Sequence, residues 1–304
     1  MIKPKLPEIA DYIDNLTPTI KAGDNAHEGY IVPEIIFTYG DPKSQMFKML
    51  SFLPTILKTL LNSFKSYKSV KKNPVKPKTT ADTNLFDEFK IRAQNLGCSS
   101  VGFTEVPPDF IFREKQILYR YAFVVTMEMH REAIGRAPAR AAGREVWRTY
   151  RDLGIVVNRL AAFMRQNGYN AQAGPALGGD SNYVLLAQKA GLGWIGNHGL
   201  LISPETGPCQ RIAVLYTDVE LPVTDSIQHS WVESYCESCG RCVKKCPASA
   251  IYSRHHILVD GSRKYIDYKK CAVPFSQSMG CSICIKECSF MRSSYKKIKA
   301  GFNG

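Results

Sequence analysis

No stretch of this chain is apolar for long enough to cross a bilayer. Its most apolar segment, M-F-K-M-L-S-F-L-P-T-I-L-K-T-L-L-N-S-F over residues 46–64, is interrupted by Lys48, Pro54 and Lys58. A spanning helix needs about 20 predominantly apolar residues. The amino terminus has neither a twin-arginine pair nor a charged-then-apolar export signal, so the expected location is the cytoplasm. Acidic residues are missing between Pro42 and Thr80, where nine lysines stand, from Lys43 to Lys78. Much of the formal charge of +13 therefore sits in one segment. The rest of the composition, 44% hydrophobic and 22% charged over 304 residues, is that of a globular protein with ample chain for one large or two ordinary domains.

A lysine cluster behind an amphipathic segment has three readings. The helix can pack on the body of the protein, with K-S-V-K-K-N-P-V-K-P-K-T-T as a solvated linker. Residues 46–78 can instead lie on an anionic membrane, peripheral to its inner face. Lysines also release counterions from nucleic-acid phosphates, which admits RNA as a third partner.

Eight of the ten cysteines lie between Cys236 and Cys288. The first run, C-E-S-C-G-R-C-V-K-K-C-P, places Cys236, Cys239, Cys242 and Cys246 before Pro247. That is the C-x2-C-x2-C-x3-C-P pattern in which three thiolates hold one 4Fe–4S cluster and the fourth reaches a second cluster. The second run supplies Cys271, then Cys281, Cys284 and Cys288; a full copy would have cysteine at 278, where Ser278 stands, and Cys271 is the replacement. The pattern assigns Cys236, Cys239, Cys242 and Cys288 to one cluster, and Cys246, Cys271, Cys281 and Cys284 to the other. Zinc favours isolated C-x2-C pairs closing one tetrahedral site. Disulfides typify small secreted domains. Neither explains this spacing. Cys98 and Cys209 lie outside both runs and read as buried thiols.

The first eighty residues read as a basic extension ending in the lysine/proline linker. From 81 to 227 helices and strands alternate, which indicates an α/β or α+β layer domain. Asn84 is placed to cap a helix with Leu85, Phe86, Phe89 and Ala93 on one face, stopping at Gly97. S-V-G-F-T, Y-A-F-V-V-T-M-E-M and R-I-A-V-L-Y-T-D read as buried strands. A helix is predicted over 144–167 with its stop at Gly168, and a shorter one in Y-V-L-L-A-Q-K-A after the loop G-P-A-L-G-G-D-S-N. The ferredoxin-like part runs over 228–298.

The segment A-G-L-G-W-I-G-N-H-G-L-L-I-S-P-E-T-G-P (residues 190–208), followed by Thr217, Asp218, Leu221, Pro222 and the cysteine runs, resembles the cobalamin-dependent iron–sulfur reductases that include epoxyqueuosine reductase and the reductive dehalogenases. The resemblance covers roughly residues 84–292 and leaves the basic extension aside. It implies a nitroreductase-like domain holding a base-off cobalamin, followed by a ferredoxin-like domain with two 4Fe–4S clusters. The chain has no D-x-H-x-x-G, the segment by which other cobalamin proteins ligate cobalt, in keeping with that resemblance.

By the same resemblance Gly191, Gly193, Gly196, Asn197 and His198 are candidate cofactor contacts. Glycines let backbone approach a planar ring, but they equally serve a tight turn. Asp180 is the candidate proton donor, three residues closer to A-G-L-G than the aspartate of epoxyqueuosine reductases. Tyr183 is the second candidate, because reductive dehalogenases use a tyrosine. Ser289 follows Cys288 where relatives usually have proline.

Three functions follow. A corrinoid-dependent reductase would pass electrons from an external donor such as ferredoxin or flavodoxin, through two clusters and cobalamin, to a small electrophile. An epoxyqueuosine reductase-type enzyme would act on a modified nucleoside of transfer RNA, which the positive charge suits. A non-catalytic electron-transfer protein would dock its partner through Lys244, Lys245, Arg263, Lys264, Lys269 and Lys270.

Overall fold

A computed structural model of the chain describes residues 7–29, 32–44, 50–224, 227–258, 261–278 and 280–303. Met46, Phe47, Lys48 and Met49 of the apolar segment lie outside the described residues. The amino-terminal part contributes strand β1 (Ile20–Lys21) and helices α1 (Val32–Tyr39) and α2 (Leu53–Lys68). Helix α3 (Leu85–Asn95) then leads into β2 (Ser100–Glu105), β3 (Gln116–Ile117) and β4 (Tyr121–Glu128). Helices α4 (Arg131–Gly135) and α5 (Arg140–Gln166) follow, then β5 (Gln172–Ala173), α6 (Tyr183–Lys189), the β6 (Trp194–Ile195) and β7 (Leu201–Ile202) hairpin, and β8 (Gln210–Thr217).

The branched and aromatic runs pair as an antiparallel sheet in the order β2-β4-β8-β5, with Phe103 opposite Phe123 and Phe123 opposite Leu215. Antiparallel pairing makes this an α+β architecture. Side chains alternate across the sheet. Phe123, Val125 and Met127 face α3 and α5, where Leu85, Phe89, Leu153, Val157 and Leu160 complete one core. Ala122, Val124, Val214 and Tyr216 face α6 through Leu186, Ala187 and Ala190. The rings of Phe89 and Phe123 stack with centroids 3.9 Å apart. The long helix starts four residues before the predicted 144, in the good helix-former run R-A-A, and Gly168 beyond its end takes a left-handed φ of +85°. Asn84 stands at the start of α3, but its side chain makes no capping hydrogen bond.

Helix α2 packs on α5 with its polarity reversed. Thr59, Ser63, Ser66 and Tyr67 are buried, whereas Leu50, Leu53, Leu57, Leu61 and Phe64 are 44 to 67% exposed. Burying hydroxyls is tolerable here because each turns back on its own helix: Thr59 donates to the Thr55 carbonyl, Ser63 to Thr59 and Ser66 to Asn62. Asn158 of α5 ties the pair together, its Nδ2 donating to Asn62 O at 3.1 Å, Ser66 Oγ at 3.0 Å and Gly154 O at 2.8 Å. Gly154 permits the approach, since a β-carbon there would press on Asn62 Cβ at 3.3 Å.

The carboxy-terminal part begins with α7 (Trp231–Cys239) and α8 (Arg241–Lys245), passes through the β9 (Ile251–Ile257) and β10 (Arg263–Ile266) ribbon and α9 (Tyr268–Gln277), and ends in α10 (Ile283–Glu287), α11 (Ser289–Arg292) and α12 (Tyr295–Asn303). Its core gathers Val232, Phe290, Tyr295 and Ile298 around Ile202 of β7, so the hairpin is the seat on which it rests.

Asn158→Ala is expected to cost about 1–3 kcal/mol in urea unfolding, because buried partners lose their donor. Hydrogen exchange over residues 53–68 should speed up in that variant while the β4 and β8 amides keep wild-type protection.

Candidate functional site

The two cysteine runs fold as copies displaced by 42 positions: Cys239, Cys242 and Cys246 recur as Cys281, Cys284 and Cys288, and α8 recurs as α10. In each copy the residue after the first of these cysteines is left-handed, Gly240 at φ +56° and Ser282 at φ +53°. Such a turn lets one short helix present cysteines at its start and just beyond its end. For serine the left-handed conformation costs on the order of 1–2 kcal/mol. Ser278 follows α9, while Cys271 comes from within that helix, whose amino end is capped by the Asp267 carboxylate accepting from Lys269 and Lys270 amides.

The thiols separate into two groups. Cys236, Cys239, Cys242 and Cys288 line one small cavity together with His198, Arg241, Ser289 and Phe290. Cys246, Cys271 and Cys281 interact with one another, Cys284 interacts with Cys271 and Cys281, and Cys284 also feels Cys242 of the first group. Among the described residues no three His, Cys, Asp or Glu side chains converge as they would on one ion. A four-iron cluster instead spreads its thiolates over separate corners.

Burial pushes the Cys236 and Cys284 thiols up to about 12 and those of Cys242 and Cys271 to about 11. Cys281 and Cys288 are raised for the same reason. Thiolates at such depth need compensating positive charge, which the iron of a cluster would supply. Backbone amides of Asn197, Val243, Ile283, Ile285 and Phe290 are turned toward the sulfurs of Cys236, Cys242, Cys281, Cys284 and Cys288. The Ser289 hydroxyl lies 3.1 Å from Cys239 Sγ, so the residue that displaces the usual proline adds a polar contact to sulfur. Donor set, burial and amide directions all fit two iron–sulfur clusters. Cys98 and Cys209 are buried elsewhere, both raised to about 12 by burial.

The glycine-rich segment forms the carboxyl end of α6 and the β6–β7 hairpin. At Gly193 a β-carbon would run into the Ile202 carbonyl, and at Gly196 it would stand 3.3 Å from Cys236 Sγ. Asn197 Nδ2 donates to the carbonyls of Cys236 and Ser253, both at 3.1 Å. His198 is 4% exposed, and its Nδ1 accepts from the Leu200 amide at 3.2 Å. Gly191 turns the chain out of α6 at φ +73°. The candidate corrin contacts thus lie on the hairpin and at its seam with α7.

Asp180 and Tyr183 lie at the other end of α6, seven residues or roughly 10 Å away along its axis. Asp180 is 1% exposed; its Oδ1 accepts from the Tyr67 hydroxyl at 2.9 Å and its Oδ2 is buried without a partner. Burial raises its carboxyl to about 7, against the opposing effect of the Tyr67 hydrogen bond. Tyr183 donates to the Pro175 carbonyl at 3.1 Å, and burial holds its phenol far above the usual range. Gly179 is required beside it, since a β-carbon would enter the ring. Tyr216 and Ser181, joined at 2.7 Å, complete a buried polar group. Tyr67, 113 positions from Asp180, gave no signal in the sequence.

A family model described as a 4Fe-4S binding domain matches residues 229–252. The tetrachloroethene reductive dehalogenase of Desulfitobacterium hafniense is 34% identical over 160 residues, 51% of this chain and 27% of that protein. The epoxyqueuosine reductase of Cellulophaga algicola is 35% identical over 132 residues, 38% of this chain and 39% of that protein. The chain thus spans between a quarter and two fifths of these relatives. Among solved structures, a catabolic reductive dehalogenase superposes with a TM-score of 0.67 at 21% identity, over 81% of this chain and 38% of that one. The epoxyqueuosine reductase of Streptococcus thermophilus gives 0.50 at 18% identity, over 69% and 67%. The fold is shared with both.

The Asp180 carboxyl makes stability depend on pH. Its folded pKa of about 7 lies above the unfolded value of about 3.9, so the fold holds a proton that the unfolded chain gives up. Its contribution is complete below about pH 4 and disappears as pH rises to about 7. Thermal unfolding between pH 4 and 8 should show that decline in the wild type, and Asp180→Asn should flatten it.

Proposed function

We propose, since the chain belongs to the superfamily of iron–sulfur reductases that contains the reductive dehalogenases and the epoxyqueuosine reductases, that it is a corrinoid-dependent reductase of dehalogenase type. Its electrons would come from ferredoxin or flavodoxin, pass two 4Fe–4S clusters and a cobalamin, and reach an electrophilic substrate. The observation that carries this reading is the sorting of eight buried or half-buried thiols into two adjacent groups, one of them against the β6–β7 hairpin. The corresponding division is a basic extension over 1–80, a nitroreductase-like corrinoid domain over 81–227 and a ferredoxin-like domain over 228–298.

Two groups of four cysteines would hold the clusters, Cys236, Cys239, Cys242 and Cys288 on the hairpin side and Cys246, Cys271, Cys281 and Cys284 beyond. The chemistry that a bound corrinoid supplies is that of a low-valent cobalt nucleophile or electron donor. A solved dehalogenase of this fold is described as B12-dependent. The Asn197 amide is bonded to the Cys236 and Ser253 carbonyls, while His198 Nε2 is buried without a protein partner. Reductive dehalogenation consumes two electrons and one proton, replacing halide on carbon by hydrogen. Asp180, neutral below about pH 7, is the group that holds a proton, and the Tyr67 hydroxyl fixes its orientation. Reduction of an epoxide to an alkene instead takes two electrons and two protons and releases water. The chain's positive charge favours that second reading, with transfer RNA as partner.

The outward stripe from Leu50 to Phe64, flanked by Lys58, Lys65 and Lys68, favours contact with an anionic membrane. No helix among the described residues is long and apolar enough to cross one.

Anaerobic reconstitution should load about eight irons per chain, and Cys271→Ser about four, with the four-iron signal of the other group retained. Loaded protein should bind cob(II)alamin and release halide from a chlorinated alkene, more slowly as Asp180→Asn. Loading without corrinoid affinity would leave an electron-transfer protein, and turnover of an epoxyqueuosine stem-loop alone would transfer the reading to RNA.

Vesicles containing phosphatidylglycerol should retain the protein at least tenfold better than pure phosphatidylcholine vesicles. Leu57→Asp with Leu61→Asp should abolish the difference. Equal retention on both vesicle types would remove the membrane contact.

A further inference from the structure

We propose that His198 donates a hydrogen bond from Nε2 to sulfur of the cluster held by Cys236, Cys239, Cys242 and Cys288, and thereby raises that cluster's reduction potential. The inference rests on the reading that these thiols hold a cluster. It reassigns His198 from the edge of a corrin to the electron carrier itself.

The argument begins with the ring's two nitrogens. Nδ1 accepts a hydrogen bond from the Leu200 amide at 3.2 Å. A neutral imidazole has one donor and one acceptor, so acceptance at Nδ1 places the proton on Nε2. Nε2 is buried and has no protein partner. The ring lines the cavity of the four thiols. Its Cε1, adjacent to Nε2, lies 3.2 Å from the point where a Gly196 β-carbon would stand, and Cys236 Sγ lies 3.3 Å from that same point. The acceptors that side chains of the cavity wall offer are the four cysteine sulfurs and the Tyr235 and Ser289 hydroxyls, and a cluster would add inorganic sulfide.

The hairpin holds this geometry rigidly. The Gly199 amide donates to the Gly196 carbonyl at 2.8 Å, and Gly199 adopts φ +73°. Asn197, the preceding residue, anchors the same turn to Cys236 O and Ser253 O. A donor so fixed interacts more strongly with the reduced cluster than with the oxidised one, because the added electron places more negative charge on sulfur. Hydrogen bonds to sulfur are one of the terms that set cluster potentials, and partners outside the ligand set tune them.

The test compares reconstituted wild type, His198→Phe and His198→Asn by redox titration monitored by electron paramagnetic resonance. His198→Phe should reduce at lower potential, by a factor of ten or more in the reduction equilibrium, which is 59 mV for one electron. His198→Asn keeps a side-chain N–H and should fall between the two. Pulsed measurements on wild type labelled with 15N-histidine should detect a histidine nitrogen and an exchangeable proton coupled to one cluster. An unchanged midpoint in fully loaded His198→Phe, or no histidine coupling in wild type, would overturn the proposal. If His198→Phe does not load, the Asn variant and the wild-type coupling decide. Wild type without iron would instead overturn the thiol reading, a separate failure read from metal content.

Discussion

The turn of the β6–β7 hairpin meets α7 at Cys236, where the backbone of Gly196 runs so close to the thiol that a β-carbon would stand 3.3 Å from its sulfur. Asn197 bonds across the same seam to the Cys236 and Ser253 carbonyls. One side of this seam is the antiparallel sheet with its helices; the other is the set of short helices that carry the thiols. The contact determines how far the electron carriers stand from everything positioned by α6, including the buried carboxyl of Asp180. A β-carbon at Gly196 would meet Ile202 Cδ1 at 2.6 Å within the hairpin and crowd Cys236 Sγ across the seam, so glycine keeps this approach tight.

The thiol-bearing part could not hold this arrangement through apolar packing alone. Its helices are mostly four to ten residues long, below the length at which isolated helices persist. Its aromatic core of Trp231, Tyr235, Phe290 and Tyr295 covers one side. The thiols fill the other side, where burial disfavours their ionised form. A cluster bound by these thiols would couple its binding to the folding of this part of the molecule. The left-handed turns at Gly240 and Ser282 stand between the first and second cysteines of the repeated C-x2-C-x3-C unit.

The amino-terminal segment turns out to be structural as well as basic. By burying its hydroxyl face against α5, α2 delivers Tyr67 to Asp180 from more than a hundred residues away. The same reversal leaves its leucines outward beside lysines. One packing choice thus shapes the carboxyl's surroundings and creates the surface read as a membrane contact.

The candidate ligands were legible in the sequence, because short spacings hold these cysteines near one another along the chain, and the 42-residue displacement made Cys271 the natural substitute for Ser278. The sheet strands and α5 were legible for a related reason: their burial is periodic, and periodicity is local. Asp180 could be nominated, but its raised pKa comes from burial and its orientation from Tyr67, neither of which is local. The glycine-rich segment was recognisable as a motif, whereas its facing toward Cys236 was decided by how the hairpin seats α7. The inward face of α2 was equally out of reach, since its leucines would by pattern point to the core. Short-range covalent spacing therefore determined which atoms are candidates to bind iron. Only tertiary packing, which brings distant segments together, decided what surrounds those atoms and which faces remain outside.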